Sequence, residues 1–283
     1  MRPSSAGVKG VHFPLLDKQF IKDSYACRPR KGTHAAADRL QYWLRQTDRK
    51  EQRYYYLKLD ISKYFYRVDH AVLIALLEKK ISDKRLVNLL CTIINSEDTR
   101  FGLPAGVDPG AISPEEWLWD VGMPIGNLTS QLMANVYLNE LDQFAKHNLR
   151  LRYYIRYMDD IIILHPDKKY LATVKEVIEQ FLNEELRLQL NNKTAIRPCS
   201  MGIDFVGFRI WATHRKLKKK TAKKIKRRLK YLFEAYRRGD ISTETLERSI
   251  ASYKGILQHC NSYGFRQELN RLYKQSGVKI KHD

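Results

Sequence analysis

The sequence of 283 residues is poor in features that stabilise or anchor many other proteins. Its four cysteines (Cys27, Cys91, Cys199 and Cys260) lie far apart and form no CxxC pair, which argues against a disulfide framework or a zinc site. It contains no apolar run of about 18 residues, so we expect no membrane span, and it starts without a signal-peptide pattern. We therefore expect a cytoplasmic protein with reduced thiols.

Acidic residues are also scarce. Asp and Glu number 31 against 51 Lys and Arg, which gives a net charge of +20 at pH 7. A folded chain with such an excess normally binds a polyanion, and nucleic acid is the usual one; an anionic membrane surface is the alternative. Because 43% of the residues are apolar and 11% are aromatic, the chain can still bury a substantial core.

The spacing of apolar residues predicts an α+β chain without internal repeats. Strands are predicted over 53–62, in a hairpin around 156–165, and over 186–190 and 205–210. Helices are predicted from a possible N-cap at Thr33 to residue 47 and over 70–80, 83–95, 128–146, 169–184, 215–238, 242–257 and 264–275. Proline and glycine make 100–120 a loop. We expect a mixed domain over residues 1–213 and a basic helical module over 214–283.

The stretch RYMDDIIILH, residues 156–165, places the adjacent carboxylates Asp159 and Asp160 between apolar flanks. Uncompensated charges there are costly, whereas a bound divalent cation removes their repulsion. Asp60 ends the predicted strand YYYLKLD and supplies a third carboxylate. Such a set suits two Mg²⁺ ions about 4 Å apart, the arrangement used for in-line phosphoryl transfer. The alternative is a solvated turn, with Asp60 as a cap.

Other residues are candidates for contacts with a nucleotide. Phe65, in DISKYF, could pack under a sugar and exclude a 2′-hydroxyl, although an ordinary core role is the alternative. GMPIGNLTSQ, 122–131, turns into a helix N-terminus that suits a phosphate or a template backbone, or is simply a junction. Lys193 could supply a proton or charge to a leaving pyrophosphate. Triphosphate oxygens could be bound by Arg28, Arg30 and Lys31. Solvated surface charge is the alternative for these four.

The range 215–238 holds thirteen basic residues and one acid, yet keeps an apolar stripe that includes Ile225 and Leu229. It therefore predicts an amphipathic helix with a basic outer face. Lys223, Arg227 and Lys230 lie about one turn apart on that face and are candidates for phosphate contacts. A merely solvated face is the alternative.

Together these segments resemble a reverse transcriptase. LKLDISKYF and RYMDD resemble the two catalytic motifs of that family, and MPIGNLTSQ resembles the motif that opens the helix under template and nucleotide. LNNKTAI and GIDFVGFRI resemble the following palm motifs, the latter being the primer-grip hairpin. The resemblance, which covers roughly residues 20–275, implies a right-hand polymerase with partial fingers, a palm built on an antiparallel sheet and an all-α thumb.

The resemblance also implies roles for single residues. Asp60, Asp159 and Asp160 match the metal triad, the backbone carbonyl of Ile61 matches a further ligand, and Phe65 matches the sugar-selecting aromatic. It implies two Mg²⁺ ions, for which Mn²⁺ can substitute, and synthesis of cDNA from dNTPs on a template RNA. Because the chain starts close to YACRPRKGTH, we expect a shortened fingers segment, which leaves an inactive RNA-binding scaffold as an alternative.

More narrowly, SYACRPRKGTHAAADRL, IGNLTSQLMANVYLNELD and GIDFVGFRIWATHRKL resemble the reverse transcriptases of diversity-generating retroelements. Most bacterial relatives read Gln-Gly…Ser-Pro in the middle motif, whereas this chain reads Ile125-Gly126 through Ser130-Gln131. The resemblance implies a structured template RNA from the same element, a small basic accessory protein as partner, and errors at template adenines. A reverse transcriptase of another bacterial lineage, intron-derived or antiphage, is the alternative.

Overall fold

The structure, a computed structural model, describes residues 16–95, 101–104, 107–123 and 128–276. The chain divides into two compact units. The first holds the residues up to Ala36 together with Gln52–Pro198, and the second holds Ala37–Glu51 and the chain from Cys199 onward. Both units combine helices with antiparallel strands, so the predicted α+β class is confirmed. The functional division into 1–213 and 214–283 stays a prediction.

The first unit is built on a four-stranded antiparallel sheet in the order β2-β3-β1-β4. Its strands are β1 (Tyr55–Asp60), β2 (Tyr153–Tyr157), β3 (Asp160–His165) and β4 (Ala195–Pro198). The two central strands carry runs of Leu and Ile, and Leu57, Leu59 and Ile161 are fully buried. The strands predicted within 53–62 and 156–165 are therefore confirmed.

Helices of the chain up to Leu186 follow the predicted ranges closely. They are α1 (Thr33–Asp48), α2 (His70–Lys80), α3 (Lys84–Ile94), α4 (Leu128–Gln143) and α5 (Lys168–Leu186). Thr33 is the first helical residue of α1 rather than its cap. Asp69, Asp83 and Asp167 cap α2, α3 and α5, because each carboxylate accepts hydrogen bonds from N–H groups of the first turn. The predicted loop over 100–120 contains one short helical turn, Pro114–Glu116.

The strand predicted over 186–190 was wrong. Leu186 is the last residue of α5, and the helix ends because Arg187 adopts a left-handed conformation with φ 49°. Leu186 and Leu188 both reach the core, so their spacing of two imitates a strand. Only Leu190 is paired, in an isolated bridge with Ile61. The fourth strand of the sheet is β4 instead, which pairs with β1.

The second unit contains a three-stranded sheet and the basic helices. Its elements are β5 (Ile203–Phe205), β6 (Phe208–Ile210), β7 (Arg215–Leu217), α6 (Lys219–Arg237), α7 (Thr243–Gln258) and α8 (Tyr263–Ser276). Val206 and Gly207, both with positive φ, turn the range 205–210 into a hairpin. The apolar stripe of α6 packs on α7 and α8, with Leu229 against Ile250 and Leu269 in one cluster. No helix among the described residues is long and apolar enough to cross a bilayer.

A buried ion pair lies at the centre of the first unit. The side chains of Arg156 on β2 and Asp142 on α4 are both 0% exposed, with Nη2 to Oδ2 at 2.6 Å and Nε to Oδ1 at 2.8 Å. The hydroxyl of Tyr154 donates to the same carboxylate at 2.8 Å. The guanidinium also donates to Asn135 Oδ1 and Ser24 Oγ, each at 3.2 Å. Burial lowers the pKa of Arg156, but the charge and hydrogen bonds of Asp142, together with Tyr154 and Tyr64, raise it above its usual value.

Removing one member of this pair leaves a buried charge without its partner. We expect Asp142→Ala to lower the free energy of unfolding by about 3–5 kcal/mol. The measurement is urea denaturation followed by tryptophan fluorescence. Glu179→Ala is the matched control, because it removes the carboxylate of an exposed pair with Lys175 and should cost no more than about 0.5 kcal/mol. Equal losses in the two variants would contradict the central role of the buried pair.

Candidate active site

A tight turn joins β2 to β3 and carries the adjacent aspartates. Tyr157 pairs with Asp160, so only Met158 and Asp159 lie between the paired ends. Met158 adopts φ 53°, a left-handed conformation that costs a residue with a Cβ roughly 1–2 kcal/mol. Arg156 Nη1 donates to the carbonyl oxygen of Met158 at 3.3 Å. The buried ion pair therefore helps to hold this strained turn.

The three predicted carboxylates are neighbours at one end of the sheet. Asp60 and Asp160 are direct cross-strand partners, so their side chains lie on the same face. Burial of Asp159 raises the pKa of its carboxyl, and the negative charges of Asp60 and Asp160 raise it further, while Lys58 opposes them. The turn thus concentrates negative charge that a cation would stabilise.

The donor set fits magnesium completed by substrate. Mg²⁺ usually takes one or two protein carboxylates and fills its octahedron with phosphate oxygens and water. Among the described residues, no three His, Cys, Asp or Glu side chains form a group that could hold a metal ion as they stand. Asp60 and Asp159 are close enough for their charges to interact. They could therefore supply the one or two protein carboxylates that Mg²⁺ usually takes. Water, or the oxygens of a bound nucleotide, would supply the other ligands.

The backbone at Ile61 is oriented by its bridge to Leu190. On that side, Asn191 N–H donates to Asp60 O at 2.7 Å and Ser62 N–H donates to Gln189 O at 2.8 Å. In such an antiparallel pair the polar groups of the central residue point away from its partner. The carbonyl of Ile61 therefore points to the other side of β1, which is the side of β3 and the aspartate turn. This direction is compatible with the predicted ligand role.

Phe65 lies in a single 3₁₀ turn, Tyr64–Tyr66, shortly after β1. Its ring is half-buried against the core and lies 5.5 Å from the ring of Tyr64, at 59° between planes. The hydroxyl of Tyr64 donates to Ala134 O on α4 at 2.6 Å, and Met123 N–H donates to Phe65 O at 2.7 Å. These bonds hold Phe65 near the end of β1. Because its ring is only half-buried, its role as a sugar-selecting residue and its role as a core residue both stay predictions.

The middle motif is only partly described. Ile125 and Gly126 lie outside the described residues. Gln131 lies in the first turns of α4, and its Oε1 accepts a contact from Cys27 Sγ at 3.1 Å. Cys27 has a left-handed backbone with φ 53°. The predicted nucleotide-binding loop around Cys27 and the helix of the middle motif are therefore in contact.

Arg28 and Arg30, both predicted to bind a triphosphate, differ in burial and in their contacts. The guanidinium of Arg28 is largely buried and already used: it contacts Asp17 Oδ1 at 2.5 Å and the carbonyls of Ile21 and Ser24 at 2.7 and 2.9 Å. The donors of Arg28 thus brace the loop, and a triphosphate contact by this residue stays a prediction. Arg30 is exposed in the same loop, with φ 58°.

The two remaining lysines of the predicted nucleotide site differ in exposure: Lys31 is partly buried and Lys193 is exposed. Lys31 Nζ donates to Lys22 O at 2.6 Å and lies 4.6 Å from the centroid of the Tyr25 ring. Burial, followed by the charge of Arg28, lowers the pKa of Lys31. Lys193 is exposed on a turn that starts at Asn191, whose N–H bonds to Asp60 O. The turn that carries Lys193 therefore lies near the end of β1, and a role of Lys193 at a leaving pyrophosphate stays a prediction.

The basic helix belongs to the second unit. Lys223, Arg227 and Lys230 are all exposed on α6, whereas Ile225 and Leu229 are buried. The predicted separation of a basic face from an apolar face is confirmed. Phosphate binding by the three side chains stays a prediction.

Three residues with evident roles were missed from the sequence. Lys58 Nζ lies 2.8 Å from Asp160 Oδ1, and Arg156 and Asp142 form the buried pair. Each is a charged residue inside an otherwise apolar strand or helix face. That interruption is the signal that could have found them, because a charge at a core position requires a partner.

A four-stranded antiparallel sheet that gathers three aspartates at one end is typical of the palm of a right-hand nucleic-acid polymerase. The chain belongs to the reverse transcriptase family, because the family model described as reverse transcriptase (RNA-dependent DNA polymerase) matches residues 9–210. This match covers most of the chain and includes all three aspartates.

Comparisons with individual proteins agree with the family. Protein YkfC of Escherichia coli (strain K12) is 27% identical in an alignment that covers 70% of this chain and 57% of that protein. The group II intron-encoded protein LtrA of Lactococcus lactis subsp. cremoris is 23% identical in an alignment that covers 69% of this chain and 40% of LtrA. The chain thus spans about half the length of these curated relatives.

A solved structure is similar in fold. The telomerase of Candida tropicalis, solved in complex with a TWJ fragment of telomeric RNA, has a TM-score of 0.56 and 14% sequence identity. The similarity covers 97% of this chain and 47% of the telomerase chain. It supports the right-hand polymerase fold.

Arg28 and Arg30 offer a direct test of the difference described above. We expect Arg28→Met to lower the free energy of unfolding by about 2–3 kcal/mol, because an ion pair and carbonyl bonds are lost together. Arg30→Met should change it by no more than about 0.5 kcal/mol, since its side chain is exposed. Urea denaturation of both variants makes the measurement. Equal stability of the two variants would show that Arg28 does not brace the loop.

Proposed function

We propose that the chain is an RNA-directed DNA polymerase that extends a primer by two-metal nucleotidyl transfer. The observation that carries this proposal is the placement of Asp60, Asp159 and Asp160, two on paired strands and one in the turn between β2 and β3. The raised pKa of Asp159 is consistent with a carboxylate cluster that is incomplete without a cation. Membership of the reverse transcriptase family supports the same reaction.

In this proposal the chain's own groups hold and orient the reactants. Asp60 and Asp159, with the Ile61 carbonyl and Asp160, hold divalent ions, Mg²⁺ or in its place Mn²⁺. When bound, the metal would activate the primer 3′-hydroxyl and stabilise the leaving pyrophosphate. Phe65 lies under the sugar and excludes a 2′-hydroxyl by its bulk.

In this proposal, one group of basic side chains binds the triphosphate of the nucleotide and another binds the backbone of the nucleic acid. Arg30, Lys31 and Lys193 approach the triphosphate of the incoming dNTP, while Arg28 braces the loop that carries the first two. Lys223 and Arg227, with Lys230, contact phosphates of the template–primer hybrid. Residues 1–213 then act as fingers and palm, and residues 214–283 act as the thumb.

Conversion of the metal ligands to amides tests the reaction. We expect Asp60→Asn and Asp159→Asn each to lower primer extension on an RNA template by about 100-fold or more, because an amide is a poor ligand for Mg²⁺. RNA affinity should be almost unchanged. Asp240→Asn, which alters an exposed carboxylate beside Arg238, should extend the primer normally. Normal extension by either catalytic variant would contradict the site, and an inactive unmutated protein would favour the scaffold alternative.

We further propose that the polymerase serves a diversity-generating retroelement. The support is the middle motif, in which Ile125-Gly126 and Ser130-Gln131 replace the Gln-Gly and Ser-Pro of most bacterial relatives. The partners would be a structured template RNA from the element and a small basic accessory protein. Copying would be inaccurate at template adenines.

An intron-derived reverse transcriptase is the second candidate. It is favoured by the similarity to LtrA, a group II intron-encoded protein. The two candidates predict different effects of Ile125, because most bacterial relatives have a glutamine at this position. A glutamine there can hydrogen-bond near the nascent base pair, whereas isoleucine has no side-chain donor or acceptor.

We expect Ile125→Gln to lower misincorporation opposite template adenine by about five-fold, the value of one hydrogen bond of about 1 kcal/mol. Correct extension should be largely intact. The measurement is sequencing of cDNA made by each protein on one RNA template, and Ile125→Leu is the control that should keep the original error rate. Faithful copying of adenines by the unmutated enzyme would reject the retroelement proposal and favour the intron-derived candidate.

A further inference from the structure

Lys58 places a positive charge inside the carboxylate cluster. It lies on β1 two residues before Asp60, and side chains alternate along a strand, so both lie on the same face of the sheet. Its Cα partner on β3 is Ile162, which makes Asp160 its diagonal neighbour. Nζ reaches Asp160 Oδ1 at 2.8 Å. Lys58 also acts electrostatically on Asp159.

The Lys58–Asp160 pair is mostly shielded from water. The side chains of Lys58 and Asp160 are 20% and 24% exposed. The cluster thus sets three carboxyl groups, those of Asp60, Asp159 and Asp160, against one ammonium group. A lysine ammonium cannot bridge several carboxylates as a divalent ion does, because it carries one charge and three N–H donors. Lys58 therefore compensates the cluster only in part.

Lys58 and a metal ion would compete for the same oxygen. Two cations held by Asp160 Oδ1 would repel each other, so an ion that takes this oxygen requires Nζ to leave it. The four-carbon stem of lysine is flexible enough for such a withdrawal. The loss of the ion pair then reduces the apparent affinity for the metal, because the two binding events are thermodynamically linked.

We propose that Lys58 is the internal counter-ion of the active-site carboxylates: it compensates their charge in part in the absence of metal and releases Asp160 when a divalent ion binds. The inference rests on the proposed two-metal function. Lys58 is a positioning residue: it stabilises the empty cluster and sets the threshold of divalent ion concentration at which the site is filled.

The test compares binding of Mn²⁺ and Mg²⁺ in the full chain without nucleic acid or nucleotide. Mn²⁺ binding is followed by its electron paramagnetic resonance signal, and Mg²⁺ by competition with it. We expect Lys58→Met to bind either ion about 10-fold more tightly, since a competing charge within a few ångströms is removed. Lys58→Arg keeps the charge and should bind metal as weakly as the unmutated chain.

Lys80→Met is the matched control. Lys80 Nζ lies 2.7 Å from Glu140 Oε1, and the two side chains are 17% and 32% exposed, so distance and burial resemble those of the Lys58 pair. Both Met variants should have a lower melting temperature in metal-free buffer. Addition of Mg²⁺ should restore the melting temperature of Lys58→Met alone, because only there does the metal replace the missing charge.

The outcomes separate this inference from the proposed function. Unchanged or weaker metal binding by Lys58→Met would overturn the counter-ion role and leave the polymerase site intact. A melting temperature that Mg²⁺ fails to restore would overturn it as well. If instead Asp159→Asn binds Mn²⁺ as the unmutated chain does, the metal lies elsewhere and the proposed catalytic site is rejected.

Discussion

The ion pair of Arg156 and Asp142 is the interaction on which the palm-like unit depends. Neither side chain reaches water, so the pair is stable only because other donors and acceptors surround it. Arg156 also uses its backbone: its N–H donates to Asp23 O, and its carbonyl accepts from Tyr25 N–H. Asn135 on α4 donates to Ala26 O at 2.8 Å. The ion pair and these hydrogen bonds together join the loop at residues 23–26 to α4 and β2.

This network explains how an unfavourable turn persists at the candidate active site. Met158 holds a left-handed backbone, and Asp159 beside it lies close to the negative charges of Asp60 and Asp160. Both effects favour opening of the hairpin. The central strands β1 and β3 oppose this opening through six residue pairs of mostly apolar character. Arg156 also donates a hydrogen bond to the carbonyl oxygen of Met158. The paired strands and the hydrogen bond from Arg156 therefore stabilise the turn against the strain of Met158 and the repulsion between the carboxylates.

The sequence predicted the elements of the fold better than the contacts between charges. Helices and strands follow from apolar spacing, and the candidate metal-binding aspartates follow from two adjacent residues in one hairpin and one at the end of a predicted strand. Arg156 and Asp142 are 14 residues apart, and periodicity carries no information about such a contact. Lys58 is likewise separated from Asp160 by the whole segment between two paired strands. The error at 186–190 has a similar cause, because the end of a helix and a strand can both bury alternate leucines.

The order β2-β3-β1-β4 leaves two outer strands whose free sides could pair with another chain. Along β2 the loop around Ser24 forms a bridge to Arg156 and so occupies part of the open hydrogen-bonding edge. At the other side, β4 is only four residues long, carries the exposed Arg197 and ends in Pro198, which has no N–H. Short length, charge and proline are known protections against edge-to-edge aggregation. These features therefore protect the outer strands of a sheet rich in buried isoleucine against pairing with other copies.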